Sequence, residues 1–408
     1  MTMDAWKLRK AADSRDRVVS SAVTVERLLA LRDHYGITRV SDVTGLDDLG
    51  LPIHIAVRPR SISSTSVHSG KGLTPSDSMT SALAEAIEVD CAERFTPADL
   101  ERGTSAEVAS RHHAFVPRFG IPGRFGIPPD LSLEWTFVEN LAAEAAATAR
   151  GLLPIEFIRQ GSVGNVPGVL FPENMSSGLA SGNIREEAIC HAIEELIERD
   201  ALMQFLFRAK YRQEDVRHTY QRIALASLPP SCAELVERFR SAGRSVRLLN
   251  LTTDVGVCTI LSDVSGCAGF GAALDAERAV IRALTESAQT STLNIQGARE
   301  DLGRGARNPR VHDGSFGRCV RARQVLLDPF LPELPFGHLA SRKNQFVDQD
   351  LHDLLRLLRT AGIRDVFACD VGDAHCVDFA VVRVVIPELE SYRNDTLGPR
   401  RLRHALSS

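Results

Sequence analysis

Residues 176–207, SSGLASGNIREEAICHAIEELIERDALMQFLF, carry the longest helical pattern in the chain. Gly178, Ser181, Gly182 and Asn183 form a stop-and-cap signal, and from there to Phe207 there is neither Gly nor Pro. On a wheel of about 3.6 residues per turn, Ala188, Ile189, Ala192, Ile193, Leu196 and Ile197 fill one half. Glu187, His191, Glu195 and Glu198 fall within roughly 80° on the other half. The pattern predicts a helix that buries one face and presents a line of carboxylates on the other. Cys190 lies beside that line but turns towards the apolar half, which argues against a nucleophile.

Taken alone, such a line reads as a solvated surface, because exposed Glu is common on helices. A second stretch changes the reading. In MTSALAEAIEVDCAERF, Ser81, Glu85 and Glu88 stand at i, i+4 and i+7 and so share one stripe. Two acidic stripes repel each other unless a cation lies between them. Hard oxygen donors gathered in this way suit Mg²⁺, with a phosphate-bearing ligand completing its shell.

These motifs resemble the YcaO family, whose members use ATP and Mg²⁺ to activate the oxygen of a peptide-backbone amide. Ser81, Glu85 and Glu88 match the family's Ser-x3-Glu-x2-Glu motif. Asn183, Glu187, Glu195, Glu198 and Arg199 match the spacing of its second motif, and Arg282, Glu286 and Gln289 match a third, on ERAVIRALTESAQTS. The likeness runs from about Gly36 to Arg400, with Val89, Asn183 and Thr290–Ser291 departing from the family's pattern. It implies an α+β fold of the YcaO type, with pseudo-symmetric sheets and helices around a central ATP/Mg²⁺ site. Residues 1–35 would be an N-terminal arm and short helix, and 36–408 the YcaO domain.

The resemblance makes Glu85, Glu88, Glu195 and Glu198 the Mg²⁺ ligands, and has Ser81, Asn183, Glu187, Arg199 and Arg282 hold ATP. Arg199 suits that role because a guanidinium pairs bidentately with phosphate oxygens. His191 is read either as a proton carrier or as a hydrogen-bonded structural group. The attacking nucleophile is not on the acidic stripes. In azoline-forming members it is a side chain of the substrate peptide, whereas members encoded beside a TfuA-type partner use an external sulfide equivalent and give a thioamide. Residues 36–60, GITRVSDVTGLDDLGLPIHIAVRPR, resemble the opening of the TfuA-associated proteins, and the proline-rich C-terminus of azoline formers is missing. Thioamide formation with a TfuA-like or leader-peptide-binding partner is therefore the reading, with cyclodehydration as the alternative. An ATP-binding accessory subunit is a second alternative, supported by Val89 and by the missing Arg after Gln289. A homodimer is the usual family state.

The chain as a whole agrees with an ordinary globular protein. Its 408 residues are 44% hydrophobic and 25% charged. A net charge of −4 gives no reason to expect nucleic acid or a membrane as partner. No apolar run reaches a membrane span and the first residues lack a signal peptide's apolar core, so the protein is read as cytoplasmic. The eight cysteines show no CxxC and no paired Cys/His spacing, which argues against a structural zinc site and for reduced core residues.

Elsewhere, residues 1 to about 20 are read as a frayed arm, and Thr24–Tyr35 as a helix stopped at Gly36. Strands are expected at Thr38–Val43 and Pro52–Val57, and a short Ala-rich helix at Leu141–Arg150. Ser69–Thr74 is not a Walker A loop, because Thr65 and Gly72 stand where Gly and Ser/Thr are required. Lys71 could still touch a phosphate there. The tandem RFGIPGRFGIPPD is read as an ordered surface segment. Finally, helix, glycine, strand, turn, strand occurs at 233–263 and again at 350–386, which predicts two related α+β halves.

Overall fold

The computed structural model describes residues 8–12, 14, 16–62, 65–112, 120–121, 124–125, 130–143, 149–161, 176–211, 213–297 and 320–389. Helix α1 (Ser21–Leu31) precedes an antiparallel sheet of β1 (Arg39–Asp42), β2 (Ile53–Val57) and β3 (Val67–Lys71), which leads into α2 (Pro75–Arg94). After β4 (Leu100–Gly103), α3 (Ser105–His112) and the hairpin β5 (Gly120–Ile121) and β6 (Arg124–Phe125) come β7 (Leu133–Asn140) and β8 (Arg150–Pro154). Strand β9 (Leu179–Gly182) then feeds α4 (Arg185–Tyr211), followed by α5 (Gln213–Thr219) and β10 (Gln221–Ile223). Next are α6 (Pro230–Ser241), β11 (Val246–Asn250), β12 (Cys258–Val264), β13 (Cys267–Ala273) and α7 (Ala276–Gln296). The described chain closes with α8 (Val320–Leu327), β14 (Glu333–Leu334), α9 (Val347–Thr360), β15 (Phe367–Asp370) and β16 (Ala380–Val385).

The fold is α+β. Besides the first sheet there is one ordered β13-β12-β11-β10-β14 and one ordered β4-β7-β15-β16-β9, with β8 paired to β7. The expected repeat is present: α6 stops at Gly243 (φ 72°) before antiparallel β11 and β12, and α9 stops at Gly362 (φ 84°) before antiparallel β15 and β16. Positive φ is the reason for glycine at both stops, since a Cβ is crowded in the left-handed region.

Tertiary pairing adds a regularity that the linear pattern does not display. In each of the three larger sheets an edge strand (β3, β9 or β13) runs directly into a long helix (α2, α4 or α7) that packs on the sheet it has just left. The packing is close. A Cβ built on Gly70 would lie 2.1 Å from the Ser78 carbonyl oxygen, and one on Gly269 would lie 2.1 Å from the Ala283 carbonyl oxygen. Because the obstacle is helix backbone, Gly269→Ala should push α7 off its sheet, with an expected loss of about 1–3 kcal/mol in chemical denaturation.

Helix α4 lies at the centre. Ala188, Ile189, Ala192, Ile193 and Ile197 join one core cluster with β16 and α9 residues, while Ala201, Leu202, Met203 and Phe205 enter another with β11 to β13. Each large apolar side chain so buried contributes about 1.5–3 kcal/mol. Cys190 belongs to the first cluster, where burial pushes its thiol well above the ordinary range.

Three expectations are changed. The expected frayed arm is docked where described: Lys10 pairs with Asp350 at 2.5 Å, Asp16 with Arg278, and Arg9 bridges to Phe346. Its charges find buried partners on distant elements, which a sequence window cannot reveal. Helix α1 starts at Ser21 and ends at Leu31, and residues 32–36 form the turn closed by Gly36 (φ 63°). Of the expected helix at 141–150, residues 144–148 lie outside the described residues, while Leu141 and Ala142 are in a turn and Arg150 opens β8. Most of the tandem RFGIP segment and the basic C-terminal end also lie outside the described residues. Among the described residues no helix is long and apolar enough to cross a membrane.

Candidate functional site

The three sheet-leaving helices bring the sequence-predicted residues together. Helix α2 begins with a reciprocal capping box, Thr74 accepting from the Asp77 amide at 3.2 Å and Asp77 accepting from the Thr74 amide at 3.1 Å. On its outer stripe Ser81 is half-buried, Glu85 is exposed, and Glu88 accepts from Ser181 Oγ at 2.5 Å. That bond joins α2 to β9, the strand that launches α4. Burial pushes the Glu88 carboxyl up to about 8; the Ser181 bond opposes this, and repulsion from Glu85 and Glu195 adds to it.

The acidic line of α4 is not solvated. Glu187 is 2% exposed and Glu198 is 7% exposed. At the head of the helix, Glu187 accepts from the Asn183 amide at 2.8 Å, from Asn183 Nδ2 at 3.2 Å and from the Val18 amide. Asn183 Oδ1 in turn accepts from Thr24 Oγ1 at 2.8 Å. Further along, Glu195 accepts from the Gly178 amide at 3.0 Å, and Arg199 lies 3.7 Å from Glu195 and 3.5 Å from Glu198. Burial raises both glutamates despite Arg199. Glu198 reaches about 7, with Glu286 of α7 adding repulsion.

The third wall is α7. Lys71, at the end of β3, forms an ion pair with Glu286, and Gln289 Nε2 donates to Ser69 at 2.8 Å (O) and 2.9 Å (Oγ). Arg282 donates to Glu194 at 2.8 Å and to the Ala272 carbonyl at 3.0 Å. Among the described residues, no three of the acidic side chains bring ligand atoms within 4.8 Å of one another here. They are near enough to repel one another, Glu85 and Glu195 acting on Glu88 and Glu286 on Glu198, without closing on a point.

Sequence reading missed several participants. Arg17, from the arm, donates to the Ser181 carbonyl at 3.0 Å, lies 3.5 Å from Glu187 and reaches His191 Nδ1 at 3.2 Å. His191 is therefore neutral with Nδ1 accepting, in keeping with burial and with Arg282, Arg17, Arg278 and Lys71 around it, which hold its pKa well below 6.5. Arg383, on β16, is 2% exposed and is held down at about 10 by burial, with Glu195 and Glu88 opposing. An Arg inside the apolar run AVVRVV was its only sequence signal. Glu194, off the predicted stripe, is buried between Arg278 at 3.4 Å and Arg282. Buried His68 has its Nδ1 3.7 Å from Glu85, and neither ring nitrogen has a hydrogen-bond partner among the described residues.

The residues fit Mg²⁺ and a nucleotide. The donors on α2 and α4 are carboxylate oxygens, which favour a hard cation. Burial pushes Glu88 and Glu198 up, with repulsion from Glu85 and Glu195 adding to it at Glu88 and from Glu286 at Glu198, and a divalent cation beside them would favour the ionised form of both. Arg199 lies beside Glu195 and Glu198, while Lys71 and Arg282, paired with Glu286 and Glu194, act on Glu198 electrostatically.

Comparisons with known proteins agree with this geometry. Residues 69–390 match the family described as YcaO cyclodehydratase, ATP- and Mg²⁺-binding. A protein of Methanothermobacter thermautotrophicus without assigned function is 32% identical over 381 residues, covering 88% of this chain and 91% of its own. A Rhizobium leguminosarum bv. trifolii protein, described only as lying in the tfuA 3′ region, is 30% identical over 404 residues, covering 93% and 90%. Among solved structures, YcaO from Methanopyrus kandleri bound with AMPPCP and Mg²⁺ aligns with a TM-score of 0.70 over 94% of this chain and 95% of that one, at 21% identity. With the family match spanning most of the chain, ATP and Mg²⁺ are its cofactors, and the protein belongs to the YcaO cyclodehydratase family.

Proposed function

We propose that the protein activates a peptide-backbone amide by phosphorylating its oxygen, and that a sulfide equivalent then displaces the phosphate to give a thioamide, with a TfuA-like protein as partner. The observation that carries this reading is the pair of carboxylate stripes on α2 and α4 facing the Arg/Lys-bearing α7 and β3, in a chain of this family. The sulfur branch is supported by the similarity to a protein of the tfuA 3′ region. When bound, Mg-ATP supplies the phosphoryl group that turns a poor leaving oxygen into a good one.

The chain's own residues do the rest. Glu85, Glu88, Glu195 and Glu198 hold Mg²⁺. Ser81, Asn183, Glu187, Arg199 and Arg282 position the nucleotide, with Lys71 able to exchange its Glu286 partner for a phosphate oxygen. Neutral His191 and Arg17 keep the helix head rigid, so the metal ligands on the next turns of α4 are pre-oriented. Partner binding and a homodimer belong to this proposal.

The test mixes the purified chain with Mg-ATP, sulfide, a TfuA-like partner and candidate peptides, and follows peptide mass. Exchange of oxygen for sulfur supports the reading. Loss of one water would favour azoline formation instead, the second reading, which the family's cyclodehydratase description favours. Binding of ATP without peptide-dependent turnover would point to an accessory subunit.

A pH dependence follows from the raised carboxyls. Metal ligation needs Glu88 and Glu198 ionised, and without metal they protonate at about 8 and about 7. Mg-ATP affinity should therefore rise between about pH 6.5 and pH 8.5, with proton release at the lower end, measured by calorimetry in buffers of different ionisation enthalpy. The metal-free fold has the opposite slope. These groups hold protons that the unfolded chain releases near the ordinary value of 4.5, so stability falls as pH rises from there to about 8.

A further inference from the structure

Away from the carboxylate stripes, two histidines and an aspartate converge. His34 lies in the turn that follows α1, and Asp373 and His375 lie in the loop between β15 and β16. One ligand atom from each can be chosen so that all three are within 4.8 Å of one another. His34 Nε2 is 3.0 Å from Asp373 Oδ2, and His375 Nδ1 is 3.6 Å from Asp373 Oδ1. Bonds of about 2.0–2.1 Å at tetrahedral zinc place neighbouring ligand atoms about 3.3 Å apart; the two contacts, made to different oxygens of Asp373, lie on either side of that distance.

The surroundings are built to hold these ligands in place. Tyr35, 1% exposed, donates its hydroxyl to Asp373 Oδ1 at 2.8 Å, and the His375 amide donates to the same oxygen at 2.9 Å. The two imidazole rings lie tilted by 30° with centroids 3.6 Å apart, so they would part as an ion enters between their nitrogens. Arg94, whose Nη2 is 3.5 Å from Asp373 Oδ2, also pairs with Asp90, so its charge is shared away from the aspartate. The histidines themselves remain accessible, with 30% and 55% of their side-chain surface exposed, so an ion and a water can enter.

We propose that His34, Asp373 and His375 form a binding site for zinc, or for a divalent transition metal of the same nitrogen/oxygen preference, with water in the fourth position. Mixed imidazole and carboxylate donors separate this site chemically from the all-carboxylate stripes, which favour Mg²⁺. The ion would pin the turn after α1 to the β15–β16 loop. That matters for the nucleotide site because α1 carries Thr24, which donates to Asn183 at the head of α4. The site is thus structural, acting on the cofactor site only through α1.

The test is zinc titration of the full chain in millimolar Mg²⁺, which occupies the carboxylates, read by calorimetry and by the melting temperature. The expected result is one saturable zinc per chain and a rise in melting temperature. In the His34→Gln/His375→Gln double variant the affinity should fall by at least about 10-fold and the thermal shift should vanish. Tyr35→Phe should weaken zinc by about 10-fold through loss of the bond that orients Asp373. Circular dichroism of the metal-free double variant should match wild type, since both side chains are partly exposed. Absence of saturable binding to the wild type, or equal binding by the folded double variant, would overturn the proposal.

Discussion

Glu195→Gln is expected to weaken Mg-ATP binding by about 100-fold or more while the ligand-free protein keeps its fold and melting temperature. Without ligand, Glu195 accepts one bond from the Gly178 amide, which a Gln carbonyl oxygen also accepts, and its charge is destabilised by burial. Removing the charge therefore costs the empty protein little, and Glu88→Gln should behave alike and relieve repulsion between Glu88 and Glu195. With Mg²⁺ bound, each substitution deletes an anionic ligand. Calorimetric titration of Mg-ATP beside thermal melting separates the two readings. Unchanged affinity with a lower melting temperature would mean that the glutamates serve only as ion-pair partners of Arg199 and Arg383.

Glu194→Ala should produce the reverse: a loss of about 3–5 kcal/mol in folding stability, seen directly in denaturant titration. Glu194 is 3% exposed and sits between Arg278 and Arg282, while its other oxygen accepts from the Leu274 amide at 3.3 Å. Deleting it leaves two guanidinium groups, 15% and 22% exposed, without their shared carboxylate. Asp16, from the N-terminal arm, remains as a partner for Arg278 but does not reach Arg282 by an observed ion pair. Glu194→Gln should recover part of the loss through the amide bond alone. A change below about 1 kcal/mol for Glu194→Ala would show that Arg282 is held by the Ala272 carbonyl instead.

These two glutamates, adjacent on one helix, show how far sequence reasoning reaches. Glu195 was legible because its stripe mates recur at helical spacing, and because a second stripe on α2 gave the charge a purpose. Glu194 was not. A wheel places it off the stripe, and only the packing of α7 against α4 supplies its two arginines. Arg17 and Val18 were hidden for the same reason. Nothing local to a polar, aperiodic arm reports that its side chain will donate to the Ser181 carbonyl and its backbone to Glu187, more than 160 residues away.

The sequence by itself determined the elements: the long helices and their apolar faces, the glycine stops, the repeated helix-strand-strand unit, and the glutamates that share a face. All of these depend on periodicity and backbone sterics within one segment, so the segment contains the information. Only the tertiary structure decided which charges meet. It set Ser181 on Glu88, Lys71 on Glu286, Arg17 on Glu187, and His34 beside Asp373 and His375. It also reversed the exposure first expected of an acidic stripe. Long-range pairing depends on strand order and on how closely each helix can approach its sheet, quantities that no single stretch of chain encodes.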